Sequence, residues 1–308
     1  MVLSDVEASS AVDLTDGVGF VEGRYVPIGQ ARLSVLDWGF TRSDCTYDVV
    51  HVWRGQFFRL EDHLDRFERS CQALRLAPGY TREQIREILI ECVRSSGLRD
   101  AYVEMICTRG KPVPGSRDPR TCTNTFIAFA IPFGWVLSPE VQKRGGHLII
   151  ASVPRIPRQC VDPTVKNFHW GDLTAGLFEG LERGGDTAVL IDIDGNVSEG
   201  PGFNVFCVKV GRVTSPGDSV LEGITRASVR ELCEEMGIPF ELGTVTPDDL
   251  READEVFLSS TAGGLMPIRR VDDRIISNDA PGPLSSQLRT RYWEKHLEGW
   301  HATPVDYG

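Results

Sequence analysis

Two amphipathic helices stand back to back between runs of strand, and no other feature of the chain constrains its fold as much. Over 61–75, Leu64, Phe67, Cys71 and Leu74 recur at helical spacing. Over 82–96, Ile85, Ile88, Leu89, Cys92 and Val93 do the same, and Gly97 supplies a stop. Before them lie two hairpin-like segments, "GFVEGRYVPI" around Glu22-Gly23 and "VVHVWRGQFFRL" around Arg54-Gly55. After them come the strands "AYVEMICTR" and "NTFIAFAIP", joined by the Pro/Gly/Arg-rich loop "GKPVPGSRDPRTCT". Strands and helices segregated into separate runs read as α+β.

The chain of 308 residues is long enough for a second domain. Residues 1–133 form a smaller N-terminal α/β domain, and 134–146, within "FGWVLSPEVQKRGG", connect it to a larger C-terminal domain over 147–308. That second part reads as strands near 147–153, 187–192, 203–209, 238–245 and 254–260, with helices near 171–183, 225–236 and 284–298. No internal repeat or low-complexity tract interrupts it.

Composition excludes several function classes. A formal net charge of −11, with basic residues dispersed among acids, argues against general binding to nucleic acid phosphates. No apolar run approaches the roughly 20 residues that cross a bilayer. The start, "MVLSDVEASSAVDLTDG", is acidic and polar and reads as a loose arm rather than a signal peptide. The eight cysteines share no metal-clip spacing, and most sit in apolar patterns such as "EILIECV" and "FNVFCVKV". They read as reduced core residues of a cytoplasmic protein.

Four stretches could carry chemistry. "DPTVKNFHWGDL" places Lys166 between Val165 and the run Phe168–Trp170; such a lysine either snorkels to water or is held for chemistry. "VSEGPGFNVFCVK" sets Glu199 beside three residues, Gly200-Pro201-Gly202, whose glycines allow close backbone approach to a ligand. It follows "DIDGN", which reads as a hairpin turn, since it lacks the later ligands of a calcium loop. "LEGITRASVRELCEEMG" opens a helix after Gly223, with Thr225 as N-cap, and a helix start suits a phosphate. "SSTAGGLMPI" breaks a strand end into hydroxyls and glycines, a form of anion nest. Taken singly, each of these also fits an ordinary turn, cap or solvated side chain. There is no Gly-x-Ser-x-Gly elbow, Walker loop or His-Glu-x-x-His, and the six scattered histidines form no convincing ligand set.

Taken in order, "TVKNFHWGDL", "VSEGPGFNVF", "LEGITR" and "STAGG" resemble the class IV aminotransferases, the fold-type IV enzymes that use pyridoxal 5′-phosphate. That family includes branched-chain and D-amino-acid aminotransferases and aminodeoxychorismate lyase. "FTRSDCTYDVVHVWRGQFFRLEDHLDRFERS" and "VKNFHWGDL" look most like the (R)-selective amine transaminases, and the similarity runs from about residue 18 onward. The resemblance implies a two-domain fold like that of D-amino-acid and branched-chain aminotransferases. It also implies a ping-pong reaction between a primary amine or amino acid and a keto compound, and a homodimer.

The resemblance assigns site residues as well. Lys166 matches the lysine that forms a Schiff base with the cofactor aldehyde and then moves the proton. Glu199 matches the carboxylate facing the pyridine nitrogen, where an anion favours the protonated ring. Arg66 matches a phosphate-binding arginine, Ile224 and Thr225 the helix-start amides on the phosphate, and Thr261 a hydroxyl donor to it. Tyr47, Val49, Tyr102 and Glu104 match substrate-pocket positions, and also fit alternate residues of two packed strands. Trp170 stands where branched-chain enzymes carry a tyrosine, which agrees instead with the amine-transaminase group. On the loop "TRGKPVPGSR" an arginine of that group meets the substrate carboxylate; here the position is Pro114. Arg117 and Arg42 are the substitutes the sequence offers, with Arg109 and Lys111 nearby, and Arg117 also fits a structural loop arginine.

Overall fold

The computed structural model describes residues 16–308, so the N-terminal arm falls almost wholly outside the described range. Two compact units are present. One holds the described residues through Gly134, together with Val165–His169 and Gly299–Gly308; the other holds Trp135–Thr164 and Trp170–Glu298.

The first unit runs β1 (Val18–Val21), β2 (Arg24–Pro27), α1 (Trp38–Arg42), β3 (Cys45–Trp53), β4 (Gln56–Phe58), α2 (Leu60–Ala73), α3 (Arg82–Ser96), β5 (Ala101–Lys111) and β6 (Thr123–Pro132). The second runs α4 (Pro139–Arg144), β7 (Gly146–Pro154), α5 (Gly171–Glu182), β8 (Thr187–Ile191), β9 (Asn204–Lys209), β10 (Arg212–Pro216), α6 (Ile224–Glu235), β11 (Phe240–Gly243), α7 (Pro247–Arg251), β12 (Glu255–Ser260), β13 (Gly264–Val271), β14 (Arg274–Ile275) and α8 (Pro283–Leu297). The chain then returns to the first unit with β15 (Ala302–Pro304).

In the first unit the strands lie in the order β15-β4-β3-β5-β6-β1-β2, each pair antiparallel. Both short hairpins turn where the sequence places them. Glu22-Gly23 and Arg54-Gly55 all have positive φ, the turn whose twist matches that of paired strands. Helix α3 starts in a reciprocal capping box between Thr81 and Gln84 and stops at Gly97 with φ 70°. One face of the sheet, with Val50, Val52, Val103, Met105, Cys107, Ala128 and Ala130, packs on Leu60, Leu64, Phe67, Ile85, Leu89 and Val93 of α2 and α3. Because side chains alternate along a strand, the other face must carry Tyr47, Val49, Tyr102 and Glu104. The register confirms the grouping, since Val49 lies opposite Glu104.

The second unit is a sheet of order β11-β10-β9-β12-β13-β7-β8, with β14 beside β13. Pairs β10/β11, β13/β7 and β7/β8 are parallel and the others antiparallel. Helix α5 sits tightly on β7 and β8 because Gly176 and Gly180 face the sheet. A Cβ on either would come within 2.6 Å of Leu190 and 2.9 Å of Ala188 respectively. The turn at "DIDGN" is a hairpin turn as read: Asp192 N donates to Asn196 O at 2.7 Å, and Gly195 has φ 85°.

Strands β10, β13, β14 and β15 were not anticipated from the sequence. The helix at "LEGITR" begins earlier than expected. Gly223 is the N-cap and Thr225 lies inside the first turn, buried at 4% exposure, so Thr225 does not cap it. Six of the cysteines are buried, Cys122 is half-buried and Cys160 is exposed.

Candidate active site

In the first unit the candidate residues gather at the edge of β3. Strand β4 pairs with β3 only at Val52 and Trp53, which leaves the edge near Thr46 open. The segment 165–169 takes that edge: Asn167 bridges Thr46, and Lys166 O accepts from Thr46 Oγ1 at 2.6 Å and from Tyr47 N at 3.3 Å. Lys166 N donates to Ser70 Oγ on α2 at 3.3 Å. The backbone of the lysine is thereby tied on both sides, while its Nζ stands 4.3 Å from the centroid of the Tyr47 ring. Phe168 stacks on the same tyrosine, with centroids 4.1 Å apart and planes 4° from parallel.

Beside them on the same sheet face, Glu104 is 7% exposed and hydrogen-bonds Tyr102. Burial pushes its carboxyl up to about 7, against the pull of Tyr102 and of the Lys166 charge. Burial and the neighbouring carboxyl push the Tyr102 phenol up as well.

On the helix side of β3, Asp48 is fully buried and anchors Arg66. Arg66 Nε donates to Oδ2 at 2.7 Å and Nη2 to Oδ1 at 2.8 Å, and His63 Nδ1 lies 2.8 Å from Oδ1. Burial opposes the charge on Asp48, yet Arg66 and His63 hold its carboxyl below the usual range. Burial pushes His63 down, toward its neutral form. The candidate phosphate arginine is therefore nearly buried and bidentate on a carboxylate, which fixes its position without cancelling its donors.

The second unit assembles the other candidates. Glu199 is 7% exposed; Leu221 N donates to Oε2 at 3.0 Å, and Arg155 Nε and Nη2 donate to Oε1 at 3.2 and 3.1 Å. Asn204 Nδ2 donates to Leu221 O at 2.9 Å and Ser198 Oγ to Ser219 O at 2.7 Å, so the loop before α6 is sewn to the Glu199 turn. Ser260 Oγ donates to Gly202 O at 2.7 Å, which brings in the turn that Thr261 opens. Trp170 lies over Gly202, where a Cβ would be 3.5 Å from its ring. Helix α6 starts on Gly223, which has no side chain to accept from the first-turn amides of Ile224 and Thr225. A Cβ there would lie 1.9 Å from Asn204 Oδ1. This close-fitting, donor-rich start fits a phosphate group, and a buried carboxylate fits a protonated ring nitrogen.

The proposed substrate arginines stand apart from these sets. Arg42 is exposed and stacks on Trp38, 3.4 Å from the ring centroid. Arg117 is exposed and makes no ion pair among the described residues. Arg109 is occupied, donating to both oxygens of Asp44 and to the carbonyls of Leu74 and Arg75.

Sequence reasoning missed Asp48, His63 and Arg155. An aspartate inside the apolar run "CTYDVVHV" was a signal for the first. The i,i+3 spacing of His63 and Arg66 on one helix was a signal for the second. Arg155, in "SVPRIP", carried none.

The amino-transferase class IV family profile matches residues 46–271. A putative branched-chain-amino-acid aminotransferase of Methanocaldococcus jannaschii is 33% identical over 276 residues, covering 89% of this chain and 94% of the relative. A D-alanine aminotransferase of Bacillus licheniformis is 28% identical, over 87% of this chain and 93% of that one. Among solved structures, the branched-chain amino acid aminotransferase of Thermobaculum terrenum in its pyridoxal-phosphate form superposes with a TM-score of 0.81 at 26% identity, covering 94% of this chain and 98% of the other. Among the described residues no helix is long and apolar enough to cross a membrane. The strand-edge lysine, the buried glutamate and the glycine-capped helix thus all lie within the matched range, and the chain belongs to the class IV aminotransferases, enzymes that use pyridoxal 5′-phosphate to move an amino group between an amine and a keto acid.

Proposed function

We propose that this aminotransferase takes (R)-configured primary amines as donors and a small keto acid as acceptor, and that it works as a cytoplasmic homodimer. When bound, pyridoxal 5′-phosphate supplies the aldehyde that captures the donor nitrogen and the ring that accepts its electrons. Lys166 Nζ, over the Tyr47 ring, is the base that takes the proton from the donor carbon and returns it. Glu199 holds a proton on the ring nitrogen, and the amides of Ile224 and Thr225, the Thr261 hydroxyl and Arg66 hold the phosphate.

The observation that carries the donor assignment is Glu104. It puts a carboxyl on the sheet face beside Tyr47, Val49 and Tyr102, where an amino acid's own carboxylate would need a cation. Arg109 is occupied elsewhere, which leaves Arg117, with Arg42 and Lys111 also exposed, as the cation to meet a keto acid. A second reading, branched-chain or D-amino-acid transamination, draws on the names of the relatives.

One assay separates them: both enantiomers of 1-phenylethylamine, D-alanine and L-leucine as donors with pyruvate as acceptor, on the parent and on Arg117→Ala. The (R)-amine should exceed the (S) form, with L-leucine poor. Arg117→Ala should weaken pyruvate and D-alanine more than phenylethylamine. Preference for L-leucine or the (S)-amine would overturn the assignment. Equal losses across all donors would remove only Arg117.

A further inference from the structure

We infer that Arg155 is a positioning residue that fixes both the orientation and the ionised state of Glu199; this rests on the reading of Glu199 as the partner of the ring nitrogen. Arg155 follows directly on β7 and its backbone N donates to Ile191 O at 2.8 Å, so the side chain starts from a pinned position. It is 8% exposed. Two of its nitrogens converge on Glu199 Oε1, at 3.2 and 3.1 Å, and a third, Nη1, donates to Asp172 Oδ2 at 2.7 Å. Two donors on one oxygen set the plane of the carboxylate, and Leu221 N fixes the other oxygen.

The charge argument is independent of the orientation argument. Glu199, Asp172 and Arg155 are nearly buried together, each side chain at 9% exposure. Burial works against the Arg155 charge, and Glu199 and Asp172 outweigh it. The other charged groups here are Arg226 on α6, which feels Glu222 and Glu199 and donates to Pro216 O at 2.8 Å, and Glu222 itself. Remove the Arg155 charge and two carboxylates face each other with little water. One must then take a proton at or near neutral pH. Asp172 keeps two amide donors, from Ile156 and Leu173, and Glu199 only one, from Leu221, so the proton goes to Glu199. A protonated Glu199 no longer favours a protonated ring.

The test uses 4′-deoxypyridoxine 5′-phosphate, which keeps the ring and phosphate but has no aldehyde to react with Lys166. Its absorbance reports ring protonation, and its binding reports affinity, neither requiring turnover. The parent should hold the probe with its ring protonated across neutral pH. Arg155→Met should bind about tenfold more weakly or worse, and the bound ring should lose its proton as pH rises through neutrality. Arg155→Lys keeps the charge but cannot fork; its profile should stay flat while affinity falls severalfold. A structural role alone would lower the melting temperature without moving the pH profile. Arg155→Met with the parent's affinity and a flat profile overturns the inference. If that variant does not fold, Arg155→Lys decides: a severalfold loss supports it and parental affinity overturns it. A parent that binds the probe with its ring unprotonated at neutral pH overturns the reading of Glu199 first, and this inference with it.

Discussion

Glu104→Gln should change how stability depends on pH, by an amount the structure sets. Burial lifts the Glu104 carboxyl from an ordinary 4.5 to about 7. At roughly 1.4 kcal/mol for each tenfold change in proton affinity, that rise corresponds to about 3 kcal/mol. The sign follows from proton counting. Between 4.5 and about 7 the folded chain keeps a proton that the unfolded chain has released, so stability falls as pH rises. Nothing is lost below 4.5, and the whole amount is lost above about 7. Glutamine matches the neutral acid in shape and cannot ionise, so its variant escapes the decline. The assay is urea unfolding of cofactor-free parent and variant at a series of pH values, taking the difference so that other titrating groups cancel. The variant should gain on the parent by about 3 kcal/mol from the acid to the alkaline end. Because the Lys166 charge opposes the rise, Lys166→Ala should leave the start of the parent's decline at 4.5 and extend its end to higher pH. Parallel curves for parent and Glu104→Gln would refute the reasoning.

Lys166→Ala should fold but lose steady turnover, and normal multiple-turnover rates would remove Lys166 from the mechanism. Arg66→Ala strands buried Asp48 without its guanidinium, so unfolding free energy should fall by about 3–5 kcal/mol, and cofactor affinity should fall as well; unchanged stability in cofactor-free protein would contradict the pairing. Gly223→Ala has an ordinary φ of −64°, so its effect is the collision with Asn204 rather than backbone strain. Displacing the Asn204 amide from Leu221 O should weaken pyridoxal 5′-phosphate binding by about tenfold, and titration showing unchanged affinity would remove that loop from the phosphate site.

Helices α2 and α3 and the hairpins of the first unit were legible because their signals are local, whereas the five-residue α1 was not read. The apolar spacing of α2 and α3, the stop at Gly97 and the two-residue turns at Gly23 and Gly55 all lie within a few residues of what they specify. Strands β10 and β13 were not legible. Their apolar runs are short and pass into charged or proline residues; β9 and β12 are their antiparallel neighbours across short turns, while β11 and β7 join them in parallel from a distance. The same division holds for the site. Lys166 and Glu199 stood in motifs whose order pointed to a family. Arg155 did not, since an arginine after a strand acquires meaning only when a carboxylate 44 positions later folds onto it. Thr225 shows the limit of local rules: a hydroxyl at a helix start suggested a cap, but glycine holds that place, and the threonine faces inward.

The edge pairing of Lys166 also bears on when the protein becomes whole. Thr46 and Lys166 are 120 positions apart, so a ribosome finishing β6 has made most of the first sheet while one edge of β3 still lacks its partner. The other gap lasts longer, because β4 waits for β15, and the strand that covers it is not made until residue 304. The sheet that presents the lysine therefore cannot close from its own stretch of chain. Its completion waits on loop closures across more than half the sequence, which slow folding. An interrupted or truncated chain would expose β3 and β4 as unpaired edges, open to pairing with other chains.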